Sequence, residues 1–150
     1  MQFKFKHSKI TFNTKAKLVN GLNVTFVFAE DAKSVYQELT KNPQAILVED
    51  LNKLSGLVVH NDTILMSLGA KSKFTSDGLV NVATSLAKFV ASREISEINL
   101  HLTNVHAEKL ALSYAELVEK FIVDFGNGLY YFDDFKTEKT KLALEKVHVS

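Results

Sequence analysis

Apolar side chains recur at every second position at Leu22, Val24, Phe26 and Phe28, and Lys9 to Asn13 alternates in polarity in the same way. A repeat of two sets one row of side chains on one face of an extended chain, so both segments are predicted strands with a single buried face. Asn20-Gly21 between them tolerates positive φ and predicts a tight reversal, hence an antiparallel amino-terminal hairpin. From Asp31 to Lys41 the period lengthens: Ala32, Val35, Tyr36 and Leu39 fall on one side of a helix, which Pro43 stops from continuing. Ala45 to Val48 reads as a short strand. Gly56 to His60 and Thr63 to Leu68 read as two more, joined by a turn at Asn61-Asp62.

A second helix is expected from Thr75 or Ser76, either of which can accept backbone N–H bonds, with Asp77 against the positive end of the dipole. Its apolar stripe is Leu79, Val82, Ala83, Leu86, Phe89 and Val90. Ile95 to Leu102 alternates again, and strand, helix, strand in succession favours a parallel sheet flanked by helices. Thr103 and Asn104 are good caps for a third, longer helix through Leu110, Tyr114, Leu117, Val118, Phe121 and Phe125. Gly126-Asn127-Gly128 either ends that helix or lets it pack closely on a neighbour. The tail, with Leu142, Leu144, Val147 and Val149 among charges, reads as a last strand or a linker.

At 150 residues, with 46% hydrophobic and 23% charged residues, one core suffices, and residues 1–150 are expected to form a single domain. No cysteine is present, which removes disulfides, thiolate metal sites and cysteine nucleophiles and fits a reducing, cytoplasmic setting. No signal-peptide core or apolar run of roughly 18–20 residues is found, so a membrane location is not expected. The formal charge of +1 argues against a dedicated nucleic-acid binder. Lys4, Lys6, Lys9, Lys15 and Lys17 precede the first acidic residue, and they read as guards on strand edges.

Candidate chemistry is sparse. The histidines are His7, His60, His101, His106 and His148; no pair has the spacing of helix-borne metal ligands, and they read as surface or boundary residues. Ser67 lies in an ordinary strand end without a G-x-S-x-G elbow. Glu49/Asp50 and Asp133/Asp134 are sequence neighbours whose side chains point apart, which reads as solvated charge. Leu68-Gly69-Ala70-Lys71-Ser72-Lys73 precedes a helix and could receive an anion, though one glycine makes it first a strand-to-helix turn. No catalytic, cofactor-binding or metal-ligating residue is assigned on this basis.

Two blocks carry a resemblance. Ile64 to Gly69, Lys71 to Phe74 and the helix to Val90 are similar in order to the amino-terminal domain of the leucyl aminopeptidase (cytosol aminopeptidase) family. Gly128-Leu129-Tyr130-Tyr131-Phe132-Asp133-Asp134-Phe135-Lys136 resembles that family's glycine-containing helix end and tyrosine-x-phenylalanine-aspartate-x-aromatic-lysine motif. Tyr130, Phe132, Asp133, Phe135 and Lys136 match, while Tyr131 stands where a basic residue is usual. Their implied use is structural, as aromatics closing the core or a junction.

The resemblance implies a three-layer, macro-domain-like α/β fold with a mixed, mainly parallel sheet and no catalytic residues of its own. Two divalent metal ions (zinc or manganese) and the peptide substrate would belong to a separate carboxy-terminal catalytic domain, whose N-T-D-A-E-G-R signature has no counterpart here. That domain and sister subunits of a hexamer are the implied partners. A different reading is a free-standing macro-like module for ADP-ribose or another nucleotide, against which the missing glycine-rich diphosphate loop counts. DNA binding by an assembled parent is a third.

Overall fold

A computed structural model describes residues 2–4, 9–13, 21–45, 49–93, 95–105, 107–134 and 143–150; the side chains of 2–4, 9, 13, 104, 107–108 and 130–134 are outside that description. Among the described residues seven strands form one sheet: β1 (Gln2–Lys4), β2 (Lys9–Asn13), β3 (Leu22–Val27), β4 (Leu57–His60), β5 (Thr63–Ser67), β6 (Glu97–His101) and β7 (Lys146–Val149), in the order β1-β2-β7-β6-β3-β5-β4. The five central strands are mutually parallel, and an antiparallel pair closes each edge, β1 with β2 and β4 with β5. The sheet is therefore mixed and mainly parallel, as its alternating strand-helix pattern implied.

Both faces of the sheet carry helices. Helices α2 (Ser76–Ala91) and α3 (Tyr114–Asp134) bury Leu79, Leu86, Leu117, Phe121 and Phe125 against Ile10, Val24, Phe26, Ile64, Ile98 and Val147. The opposite face holds a smaller cluster of Val27, Leu51 and Leu65 under Val35, Tyr36 and Leu39 of α1 (Ala32–Thr40). This is a three-layer α/β unit. Edge-to-face ring pairs, Phe26 with Phe121 at 5.4 Å and Phe12 with Phe125 at 6.1 Å, tie α3 to the sheet.

Helix α2 begins as its sequence indicates. Thr75 is extended and its hydroxyl accepts the Gly78 N–H at 3.1 Å, satisfying one of the donors left open at the first turn. The β4-β5 reversal falls at Asn61, whose φ is 53°. Four expectations change or resolve. Lys9–Asn13 and Leu22–Val27 do not form a hairpin: β2 pairs with β1 and β7, and β3 with β5 and β6, because the parallel order inserts β7 and β6 between them.

The third helix starts later than Thr103-Asn104. That stretch makes two short 3-10 turns, Leu102–Val105 and Ala107–Leu110; Ala111 then takes φ 55°, breaking the helical path. Ser113 and Glu116 cap α3 reciprocally, Ser113 N–H to Glu116 Oε1 at 3.0 Å and Glu116 N–H to Ser113 Oγ at 3.1 Å. At its other end, α3 runs straight through Gly126-Asn127-Gly128 to Asp134, and Gly128 lies against α2, where an added Cβ would come within 2.9 Å of Ala87 Cβ. The tail supplies β7, an interior strand. Ile46 to Val48 fall outside the described residues.

Candidate functional site

In open α/β sheets the crevice for ligands lies at the carboxyl ends of the strands where successive connections leave for opposite faces. Here β3 leads to α1 on one face and β6 leads to α3 on the other, so that point lies between β3 and β6. Three features are candidates: a turn at the carboxyl ends of β3 and β5, a polar row across the sheet, and a groove at the carboxyl end of β7.

The first is the turn after β5. Gly69, at φ 73°, allows the chain to double back, and its carbonyl accepts the Ala29 N–H at 2.9 Å. Ser67 is fully buried; its hydroxyl donates to Leu51 O at 2.8 Å and accepts the Gly69 N–H at 3.0 Å, so it is committed to structure. The Glu30 carboxylate receives the Lys71 N–H at 3.1 and 3.0 Å, and Lys71 Nζ pairs with Asp31 at 3.0 Å. The turn that could have received an external anion is filled by the chain's own carboxylates, an arrangement that disfavours phosphate there.

The second is a polar row on the α1 side of the sheet. Register places His148, Asn99, Asn23 and Thr63 side by side across β7, β6, β3 and β5. Faces of parallel strands are normally apolar. Asn99 Nδ2 donates to Asn23 Oδ1 at 3.3 Å; His101 Nε2 lies 3.2 Å from that oxygen, and His101 Nδ1 lies 2.9 Å from Ser150 Oγ. Burial pushes the His101 imidazole below its usual value. Two residues before Asn99, Glu97 Oε1 is 3.8 Å from His148 Nε2 and 3.9 Å from Lys146 Nζ. His148 is 8% exposed, and neither ring nitrogen has a hydrogen-bond partner among the described residues.

The third is an apolar groove of about 400 Å³ at the amino-terminal end of α3. Tyr114, Ala115, Val118, Glu119 and Ile122 line one side and Val149 and Ser150 the other. Burial raises the Tyr114 phenol above its ordinary value. Ser150 belongs both to the hydrogen-bond chain and to the groove wall.

No family model and no curated protein matches the sequence. Among solved structures, a tomato leucine aminopeptidase mutant superposes with a TM-score of 0.61 at 14% identity, over 99% of this chain and 34% of that one. That likeness is one of fold. The chain spans about a third of the length of the aminopeptidase chain it matches.

Of the residues named from sequence, Tyr130, Phe132 and Asp133 lie in the last turns of α3 with side chains outside the description, and Phe135 and Lys136 lie outside the described residues altogether. His7 and His106 are likewise outside them, and His60 is half-buried on β4. Among the described residues no three His, Asp or Glu side chains are grouped to hold a metal, and no helix is long and apolar enough to cross a membrane. Asn23, His101 and Ser150 carried no sequence signal as a group, because only the parallel register brings residues 78 and 49 positions apart into contact.

Proposed function

We propose that this chain is the amino-terminal, non-catalytic domain of a leucyl aminopeptidase-type enzyme, serving assembly and access rather than the metal chemistry. The observation that carries it is the superposition of essentially the whole chain on one third of an aminopeptidase chain. The helix-end motif from Tyr130 to Lys136 supports the same reading. In such a parent, two divalent metals held by a following domain would activate water and polarise the scissile carbonyl. This domain would contact that one and sister subunits in a cytoplasmic hexamer.

The decisive test is the reading frame after codon 150: a metal-ligand domain with acidic ligands and a lysine is expected, and a stop codon there overturns the proposal. With leucine p-nitroanilide and added manganese or zinc, the pure 150-residue chain is expected to give no turnover. The nucleotide-module reading is disfavoured by Glu30 on the Lys71 N–H, and micromolar binding of ADP-ribose by calorimetry would restore it.

A further inference from the structure

The hydrogen-bond chain runs from Asn23, near the amino end of β3, to His101 and Ser150 at the carboxyl ends of β6 and β7, and it has a direction. Asn23 Oδ1 is an amide oxygen, which accepts only, so the facing His101 Nε2 carries a hydrogen. In the neutral ring Nδ1 is then a bare lone pair, and the Ser150 hydroxyl 2.9 Å away is its donor. A hydroxyl hydrogen-bonded to a base whose other nitrogen is oriented by a third group is the arrangement that activates an oxygen nucleophile. Ser150 is exposed, and the same residue borders the apolar groove under Tyr114, Val118 and Ile122. Burial holding the imidazole in its neutral form keeps the base available at neutral pH.

We propose that Ser150 Oγ is a nucleophile activated by His101 and oriented through Asn23, which takes the acyl group of esters whose apolar acyl chain lies in the groove. Oγ attacks the ester carbonyl carbon as its proton passes to His101 Nδ1. The tetrahedral adduct then breaks its bond to the alkoxy oxygen, and the alcohol leaves with that proton. Water, giving a proton to the same nitrogen, hydrolyses the acyl-serine, and the proton returns to Ser150 Oγ. The activity goes beyond the aminopeptidase reading, in which this domain takes no part in peptide hydrolysis; failure to acylate Ser150 leaves that reading standing, and a stop codon after residue 150 leaves this one standing.

The test uses the 150-residue chain and p-nitrophenyl butyrate, following nitrophenolate release and mapping the butyryl group by mass spectrometry. The adduct is expected on Ser150, absent in Ser150→Ala, and formed about a hundredfold or more slowly in His101→Gln, the usual size of a general-base contribution. The wild-type rate is expected to rise with pH through the His101 ionisation, and this rise to vanish in His101→Gln; the other titratable groups of β6 and β7, Glu97, His148 and Lys146, lie against one another. A bond network that merely staples the strands would lower the melting temperature of His101→Gln and leave acylation unchanged, which overturns the proposal. Should that variant fail to fold, the wild type decides alone: butyryl groups scattered over several serines and lysines, or none on Ser150, overturn it equally.

Discussion

Gly128→Ala opposes two effects whose balance the structure decides. In the interior of a helix, alanine is favoured over glycine by roughly 0.5–1 kcal/mol because it loses less backbone freedom on folding. At this position, however, the new Cβ would sit 2.9 Å from Ala87 Cβ and 3.1 Å from Thr84 Cα, and the second of these is backbone. Neither neighbour is the movable end of a flexible side chain, so relief requires α3 to shift away from α2. That shift would disturb Phe121, Phe125 and Leu129, all buried between α3 and the sheet. Overpacking a dense core costs about 1–3 kcal/mol, so the steric effect exceeds the propensity gain and leaves a net loss of roughly 1–2 kcal/mol. For a domain of this size that corresponds to a fall in melting temperature of roughly 2–8 °C.

Urea denaturation followed by circular dichroism measures the change. A second arm removes the opposing methyl: the Ala87→Gly/Gly128→Ala double variant is expected to be less destabilised than the sum of the two single changes, by about 0.5 kcal/mol or more. A Gly128→Ala protein that melts higher than the parent would refute the close-packing account. Additivity of the pair would show that Ala87 is not what the new methyl meets.

Stability is expected to rise with pH through the His101 range. The folded-state value lies below the ordinary 6.5, so between the two values the unfolded chain holds a proton that the folded chain does not, and stability falls as pH drops below 6.5 towards the folded value. Urea midpoints of the parent and of His101→Gln at pH 5 and 7.5 check this; equal pH dependence in both would remove His101 as the cause. Thr75→Ala is expected to cost about 1 kcal/mol, the worth of a typical N-cap, while Thr75→Ser keeps the hydroxyl and costs much less. Equal midpoints for these two variants would show that the Gly78 N–H gains nothing from the cap.

Local patterning set much of this architecture. The apolar stripe of α2, the Thr75 cap, the alternation of β3 and β6 and the turn at Asn61 are statements about neighbours a few residues apart, and period and side-chain chemistry decide them wherever the chain lies. Partners across the sheet are a different matter. Alternation in Lys9–Asn13 and Leu22–Val27 says that each buries one face but not which strand lies beside it, and β7 and β6 came between them. Gly126-Asn127-Gly128 reads equally as a stop or a contact until α2 is known to press on Gly128. The anion-compatible turn at Lys71 could not be known to be filled until Glu30, 41 residues earlier, folded onto it. Nor could three ordinary residues, Asn23, His101 and Ser150, be seen as one hydrogen-bond chain. Contacts of that range depend on strand order and register, which arise from the burial of the whole sheet between its helices and are encoded in no single stretch of chain.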